Sequence, residues 1–305
     1  MHSILLIRAL PWVLLLLLLG GCSGGSSSSS GTSDTEDTTD PSPDPSPEPG
    51  DNGSPEPGDN GTGPGPGAND GVSATACFPT PLLTSGNVLA DEQRTTTAQG
   101  VFETESTVTV AGPATFDGKS VVRVFGSRDD EDSGVVASFE FFFSQGDGAV
   151  VLTHGQRTEA SSGPGQPAST TEQRYNPPLV ERYDLSPGQG FEQSYELLSQ
   201  TTVAGTVFDS IQSVQLSTTY IGRESVTVPA GTFSTCRYEQ TQTVTPPPIV
   251  IGDQVFTPPP QISEITIWYA VNSGFPVRRV DVSDVGTETS ELLSFSINGV
   301  PVTGN

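Results

Sequence analysis

Residues able to act as nucleophiles, proton carriers or soft metal ligands are few in this chain of 305 residues. The chain holds three cysteines (Cys22, Cys77, Cys236) and two histidines (His2, His154). A zinc site needs four clustered ligands, or three and a water molecule, and a serine nucleophile needs a histidine base beside it. No His-Glu-x-x-His pair occurs in the chain, and residues 74–305 contain no Gly-x-Ser-x-Gly turn. We therefore expect no metal site, no cofactor and no catalytic residue.

Acidic residues are the remaining group that can perform chemistry. Paired carboxylates hydrolyse glycosidic bonds, and the chain holds 36 acidic residues. The densest cluster, residues 129–132, precedes Ser133-Gly134, a composition typical of a solvated loop. No spacing singles out a catalytic pair, so a carboxylate-based hydrolase is the function that the sequence favours least among those considered below.

The net charge of −24 excludes one class of partner. Ten acidic residues and one arginine, Arg8, lie before residue 74, so the remainder carries 26 acids against 11 arginines and lysines, about −15 with histidine neutral. A surface this negative repels nucleic acid and anionic lipid headgroups. We expect no nucleic-acid partner.

The first residues predict export. Two basic residues, His2 and Arg8, precede the apolar run at residues 10–19, which ends in Leu19-Gly20-Gly21-Cys22. This is the pattern of a signal peptide over residues 1–21, and its apolar run is shorter than the roughly 20 residues of a membrane-spanning helix.

The Leu-Gly-Gly-Cys ending resembles the lipobox of bacterial lipoproteins. The resemblance implies that Cys22 becomes the first residue of the mature chain and carries acyl chains, including palmitate, that anchor it to a membrane. Ser23 follows Cys22, whereas an Asp there would resemble an inner-membrane retention signal, so the resemblance implies an outer-membrane lipoprotein. An ordinary cleaved signal peptide with an incidental cysteine is the alternative.

Residues 22–73 are predicted to be a lipidated cysteine followed by a disordered, low-complexity tether. Beyond Cys22 the stretch has no Lys, Arg or aromatic residue, is rich in Ser, Pro, Asp, Glu and Gly, and repeats the octad of residues 46–53 at residues 54–61. It cannot bury enough apolar surface to offset the entropy of ordering. A flexible chain of this length spans roughly 40 Å.

Cys77 and Cys236 remain once Cys22 is assigned to lipidation. Disulfides persist in exported proteins, and an even pair predicts one bridge. The bridge would connect the start of the folded domain to a strand in its C-terminal half.

Residues 74–305 are predicted to be one all-β domain. No stretch of a dozen residues has helical periodicity, whereas apolar residues alternate in several short runs, among them Val214-Leu216-Tyr220 and Leu293-Phe295-Ile297. Turn signals such as Asp117-Gly118 separate the runs. Short strands with short connections favour a single antiparallel meander, and we expect a curved open sheet or half-barrel.

Two segments resemble an uncharacterised family of bacterial envelope β-domains. A hairpin at Tyr220–Arg237 contains Val-Pro-Ala-Gly-Thr-Phe, and Trp268–Arg279 contains Trp-Tyr-Ala, a Gly turn and Val-Arg. The resemblance covers residues 183–282 and departs from the family at Val271, where a proline is usual. It implies a β-rich envelope domain and assigns no activity.

Three hypotheses for function follow, in order of preference. The first is a non-catalytic, lipid-anchored binding or envelope-maintenance module with a protein or other ligand. The second is a carrier or chaperone that holds a lipid or another amphiphile in a cavity lined by residues such as Phe139, Phe141 and Phe143. The third is the hydrolase. In addition, triple prolines flank the segment 249–256, where Gly252-Asp253 predicts a hairpin that either protrudes or covers an open sheet edge.

Overall fold

A computed structural model describes residues 72–130, 135–161, 168–251 and 253–304. The predicted signal peptide, Cys22 and almost all of the predicted tether lie outside these ranges. Two short helices, a 3-10 helix at Ala74–Cys77 and α1 at Thr80–Leu83, are followed by strands only, which confirms the all-β prediction. The strands are β1 (Val88–Thr97), β2 (Gly100–Phe116), β3 (Lys119–Asp130), β4 (Val135–Gln145), β5 (Val150–Ser161), β6 (Ser169–Arg182), β7 (Gly190–Val203), β8 (Thr206–Val228), β9 (Gly231–Thr245), β10 (Ile249–Ile251), β11 (Gln254–Phe256), β12 (Gln261–Ala270), β13 (Pro276–Ser283), β14 (Gly286–Ile297) and β15 (Val300–Pro301).

The main sheet closes on itself as a barrel. Twelve strands pair with their neighbours in the order β1 to β9, β12, β13 and β14, and β14 pairs back onto β1. That closing pair is antiparallel and runs from Leu89↔Ile297 to Thr96↔Thr289. The predicted meander is confirmed, but the predicted open sheet or half-barrel is wrong. Closure gives hydrogen-bond partners to backbone groups that an open sheet would leave at two edges.

Burial alternates along several of the long strands, such as β7 and β8, and defines an inner face. In β8 the buried residues include Val214, Leu216 and Tyr220, as predicted. In β14 the predicted set fails at its first member, because Leu292 is buried and Leu293 is half-buried. The register between β1 and β14 shifts by one residue at that point, and such a bulge transfers the following residues to the other face.

The connections sort to two ends of the barrel. The turns after β2, β4, β6, β8 and β12 lie at one end, together with the N-terminal segment 72–86, and we call this the plugged end. The opposite end, which we call the open end, carries the turns after β1, β7 and β13 and the C-terminal ends of β3 and β5.

The N-terminal segment is fastened to the plugged end by backbone hydrogen bonds and a disulfide. Ala74 N–H donates to the Leu185 carbonyl (3.0 Å), and Asn272 N–H donates to the Ala76 carbonyl (2.7 Å). Cys77 and Cys236 are joined by a disulfide with their Cα atoms 6.2 Å apart. The turn at Gly274 lies so close that a Cβ there would be 2.6 Å from the Cys77 carbonyl oxygen, so this turn of the sequence motif requires glycine.

The segment flanked by triple prolines forms a separate two-stranded sheet. Strands β10 and β11 pair from Ile249↔Phe256 to Ile251↔Gln254, as a two-residue loop predicts. Ile249, Val255 and Phe256 remain 48–66% exposed. The hairpin is therefore confirmed and protrudes. The alternative that it covers an open sheet edge is not supported, because its apolar side chains remain in solvent.

Removing the disulfide should destabilise the barrel strongly. The bridge closes a loop with a sequence separation of 159, for which chain entropy gives an upper value of about 5 kcal/mol. We expect the Cys77→Ala/Cys236→Ala variant to lose about 2–5 kcal/mol of unfolding free energy, measured by guanidinium denaturation. Reductant should lower the stability of the parent protein and leave the variant unchanged. A loss below about 1 kcal/mol would contradict this assignment.

Candidate functional site

The interior near the plugged end is filled by tyrosines. Rings from strands β8, β9 and β12 and from the β6–β7 connection contact one another with centroids 5.2–6.0 Å apart: Tyr220, Tyr238, Tyr269 and Tyr183. The Tyr220 hydroxyl donates to the Val72 carbonyl and the Tyr238 hydroxyl to the Arg182 carbonyl, each at 3.1 Å. These bonds supply the partners that buried tyrosine hydroxyls require, and the Tyr220 bond also ties the N-terminal segment to β8.

Phe139, Phe141 and Phe143 also face the interior, where the second hypothesis expects a lipid cavity. They are 2–4% exposed, and their ring centroids follow one another at 5.5 and 5.8 Å. The cavity beside Phe141 and Phe143 has a volume of about 20 Å³, which is room for about one water molecule. The three rings therefore act as core, and no lipid fits against them at this position.

Phe142 faces outward from the same strand. It stacks on Phe116 with ring centroids 4.1 Å apart and planes 12° from parallel. Phe116 is the last residue of β2, directly before the turn to β3. Gly155 leaves room for the pair, because a Cβ there would be 2.6 Å from the Phe116 ring.

Polar side chains line the interior between the tyrosines and the open end, and we call this set the polar belt. Its members come from six strands and are at most 8% exposed: Gln93, Gln156, Gln173, Gln242, Ser263 and Ser290. Gln156 donates to the side-chain oxygen of Gln173, and Ser290 hydrogen-bonds to Thr95 at 2.9 Å. Toward the open end, Thr171 and Thr201 continue the polar lining with a 3.1 Å hydrogen bond.

Two polar atoms beside the belt have no hydrogen-bond partner among the residues that the structure describes. The Oε1 atom of Gln242 and the hydroxyl of Tyr175 are buried without one, in residues that are 2% and 6% exposed. Gln242 hydrogen-bonds to Tyr195, although burial still raises the pKa of Tyr195 to about 12. Leaving such groups unpaired costs roughly 1–3 kcal/mol each, so their interior positions indicate where a polar molecule or water would bind.

Charged side chains also lie on the inner face. Asp91 accepts hydrogen bonds from Ser106 and from Gln93 (2.9 Å to Gln93). Burial nevertheless raises the pKa of Asp91 to about 6, against these hydrogen bonds and the charge of Arg128. On β13, Arg279 donates to Asp281 at 3.0 Å. Of the two pairs, Arg279 and Asp281 lie toward the open end, whereas Asp91 borders the cavity beside Phe141 and Phe143.

Glu181 lies among the tyrosines. Burial raises its pKa to about 7. Burial first, and then the Glu181 carboxylate, raise the pKa of Tyr183 and Tyr269. A carboxylate in such surroundings is destabilised in its charged form.

The arrangement offers little to the hydrolase hypothesis. Asp91 and Glu181, whose pKa values are raised, lie on β1 and β6 with different neighbours and do not converge on one cleft. His154 is a buried strand residue whose Nε2 lies 2.8 Å from Ser144 Oγ. Burial, followed by the charge of Lys119, lowers the His154 pKa.

Metal ligands do not gather in the part of the chain that the structure describes. Within it, no three His, Cys, Asp or Glu side chains are grouped so as to hold a metal ion. None of the helices in that part has the length and apolar character needed to traverse a bilayer.

Comparisons with known proteins give distant likenesses only. No protein-family model matches the chain, and no curated protein matches it. Among solved structures, a "putative lipoprotein" from Parabacteroides distasonis aligns over 72% of this chain and 98% of its own, with 15% identity and a TM-score of 0.38. A "putative exported protein with YmcC-like fold" from Bacteroides fragilis aligns over 70% and 96%, with 15% identity and a TM-score of 0.40. Likenesses this distant carry no argument about function.

Sequence reasoning did not find the polar belt. Its glutamines are scattered over residues 93–242, and other strands carry exposed glutamines, such as Gln200 on β7. The alternation of strand residues was the signal available, since Gln173 and Tyr175 share one parity in β6 and are both buried.

Replacing the Glu181 carboxylate should remove a pH-dependent loss of stability. With the folded-state pKa raised from 4.5 to about 7, the folded protein keeps a proton that the unfolded chain releases, so the unfolding free energy falls as pH rises through this window. Since Glu181 is only partly buried, we expect Glu181→Gln to gain about 1–2 kcal/mol at pH 8 and little below pH 4.5.

Urea denaturation at pH 4.5 and pH 8 measures this effect. The control is Glu192→Gln on the exposed face of β7, which should change stability equally at both pH values. If Glu181→Gln changes the unfolding free energy equally at both pH values, the raised pKa of Glu181 is contradicted.

Proposed function

We propose that this protein is a bacterial cell-envelope lipoprotein, anchored to the outer membrane through Cys22, whose barrel is a non-catalytic binding module for a polar ligand. The binding role rests on two buried polar atoms beside the polar belt, Gln242 Oε1 and the Tyr175 hydroxyl, which have no hydrogen-bond partner in the described part of the chain. A site with few convergent polar groups inside a concave wall is the usual form of a ligand site.

The chemistry of the belt specifies the class of ligand. Its glutamines and serines offer both hydrogen-bond donors and acceptors without net charge. The charged residues of the lining include Arg279, which is paired with Asp281. A molecule rich in hydroxyl or amide groups satisfies such a lining, whereas an alkyl chain would leave its polar atoms unpaired.

The position of the N-terminal segment supports this role. The described chain begins at Val72, whose carbonyl accepts from Tyr220 inside the plugged end. The predicted tether therefore joins the barrel at its plugged end, and the open end is free to face away from the membrane. A tether with a span of roughly 40 Å leaves the open end accessible.

The carrier hypothesis has less support. The residues expected to line its cavity, Phe139, Phe141 and Phe143, pack against one another, and about 20 Å³ is open beside them. Burying an acyl chain requires a pocket of a few hundred cubic ångströms.

Substitution of the predicted lipid attachment site tests the anchor. We expect the Cys22→Ala variant to move from the membrane fraction to the aqueous fraction, because acyl chains supply about 0.8 kcal/mol per buried methylene group. The intact mass of the parent protein should exceed that of its mature polypeptide by the attached acyl groups. An unmodified parent protein in the aqueous fraction would refute the anchor.

Native mass spectrometry of the full chain, purified gently from envelope extracts, tests the binding site. We expect a bound polar molecule on the parent protein and a reduced bound fraction on Gln242→Met, which keeps the side-chain volume and removes the unpaired acceptor (about 1–3 kcal/mol). The control is Gln200→Met on the outer face of β7, which should retain the molecule. A barrel without any bound molecule, or equal loss in both variants, would contradict the proposal.

A further inference from the structure

The first residues of β8 form an edge in the barrel wall. Thr206–Gln212 pair with β7, whereas the pairing of β8 with β9 starts only at Ser213↔Thr245. Strand β9 ends at Thr245, and Pro246-Pro247-Pro248 follow. Proline has no amide hydrogen to donate, so the ladder ends there. Among the described strands, one side of Thr206–Gln212 therefore has no neighbour.

The geometry of the β7–β8 turn identifies which backbone groups point outward. Ala204 and Gly205 have φ values of 49° and 81°, as in a two-residue type I′ turn, so the closing pair Val203↔Thr206 is hydrogen-bonded. Hydrogen-bonded and non-hydrogen-bonded pairs alternate along an antiparallel ladder. The N–H and C=O groups of Val207, Asp209 and Ile211 therefore point away from β7 and can bond to an added strand.

The side chains of these three residues share the outer face of the wall. Val207 and Ile211 are each 52% exposed, and Asp209 lies exposed between them, accepting a 3.0 Å hydrogen bond from the Gln200 side-chain amide. The edge thus presents an apolar, an acidic and an apolar residue in succession.

We propose that Thr206–Gln212 is a docking site at which an extended segment of a partner protein adds as an antiparallel β-strand. Main-chain hydrogen bonds supply affinity in this recognition mode and alternate side chains supply specificity. The segment carries a basic residue opposite Asp209 and apolar residues opposite Val207 and Ile211, because directly opposed pairs of these kinds stabilise a ladder. The charge of about −15 on the domain adds attraction for a basic segment.

A second copy of this chain fits the edge less well. Antiparallel self-pairing of Thr206–Gln212 is centred on Asp209, which would lie directly opposite its own equivalent. Like charges directly opposite each other destabilise a strand pair, and two domains of the same large charge repel. The edge is also separate from the interior site, so this proposal stands independently of the polar ligand.

Peptide binding to the full chain tests the docking site. The probe is the capped peptide Thr-Val-Thr-Lys-Thr-Val-Thr, and its counterpart carries Glu in place of Lys. We expect the Lys peptide to bind more tightly and to slow hydrogen exchange at the amides of Val207, Asp209 and Ile211. Val207→Pro, which removes an outward N–H and no bond to β7, should weaken binding at least tenfold, whereas Val207→Thr should stay within about twofold.

Charge reversal gives a second test that does not depend on a proline. The Asp209→Lys variant should reverse the preference between the Lys and Glu peptides, with each affinity changing at least threefold. Near-ultraviolet circular dichroism checks that the variants fold. Equal binding of both peptides to the parent chain, full binding to Val207→Pro, or amides already protected in the free chain would overturn the proposal. If sedimentation shows that the parent chain is a dimer and that Val207→Pro abolishes the dimer, the occupant of the edge is a second copy of this chain and the proposal of a basic partner is overturned.

Discussion

The antiparallel pairing of β1 with β14 is the constraint on which the remaining architecture depends. It joins the first and the last long strands of the chain, so every long strand between them acquires two neighbours over most of its length. Closure divides the side chains into an inside and an outside, and it gives the molecule two distinct ends. The tyrosine cluster, the polar belt and the plug all have their positions because the wall is continuous.

A twelve-stranded wall also creates a space that strand side chains fill less easily than in an eight-stranded barrel. At one end the space is occupied by tyrosines and by the N-terminal segment, which the Cys77–Cys236 disulfide holds against β9. Toward the other end the inward residues are glutamines, serines and threonines in place of aromatic rings. The molecule is thus sealed at the end where the predicted tether joins it and hydrophilic toward the opposite end, a polarity suited to a receptor for a polar molecule.

The triple proline leaves one short stretch of the barrel wall without a neighbouring strand. The triple proline after Thr245 ends β9 while β8 extends seven residues further. Closed barrels normally eliminate sheet edges, and here a short edge reappears at the rim of the open end. A single acidic residue, Asp209, lies at its centre, and it both limits self-association and selects the charge of a partner.

Local sequence was sufficient to predict the strands, the turn at Asp117-Gly118 and the hairpin between the prolines, because alternation and turn chemistry depend on a few neighbouring residues. The pairing of the two cysteines followed from their even number. The limit of local sequence appears at Leu293, where one bulged residue reversed the predicted face of the strand. The glutamines of the polar belt have the composition of ordinary surface residues. Alternation shows which residues of a strand share a face, but it does not show which of the two faces is inside.

The sequence by itself determined the all-β class of the folded domain and pointed to residues that form its core, and it predicts export and an acidic tether. Only the tertiary structure decided that the sheet closes and that Phe139, Phe141 and Phe143 are core. It also decided that two buried polar atoms, Gln242 Oε1 and the Tyr175 hydroxyl, have no hydrogen-bond partner among the described residues. These outcomes depend on the register between strands about 200 residues apart. Register is set by the summed packing and hydrogen bonding of the whole wall, and no local pattern encodes that sum.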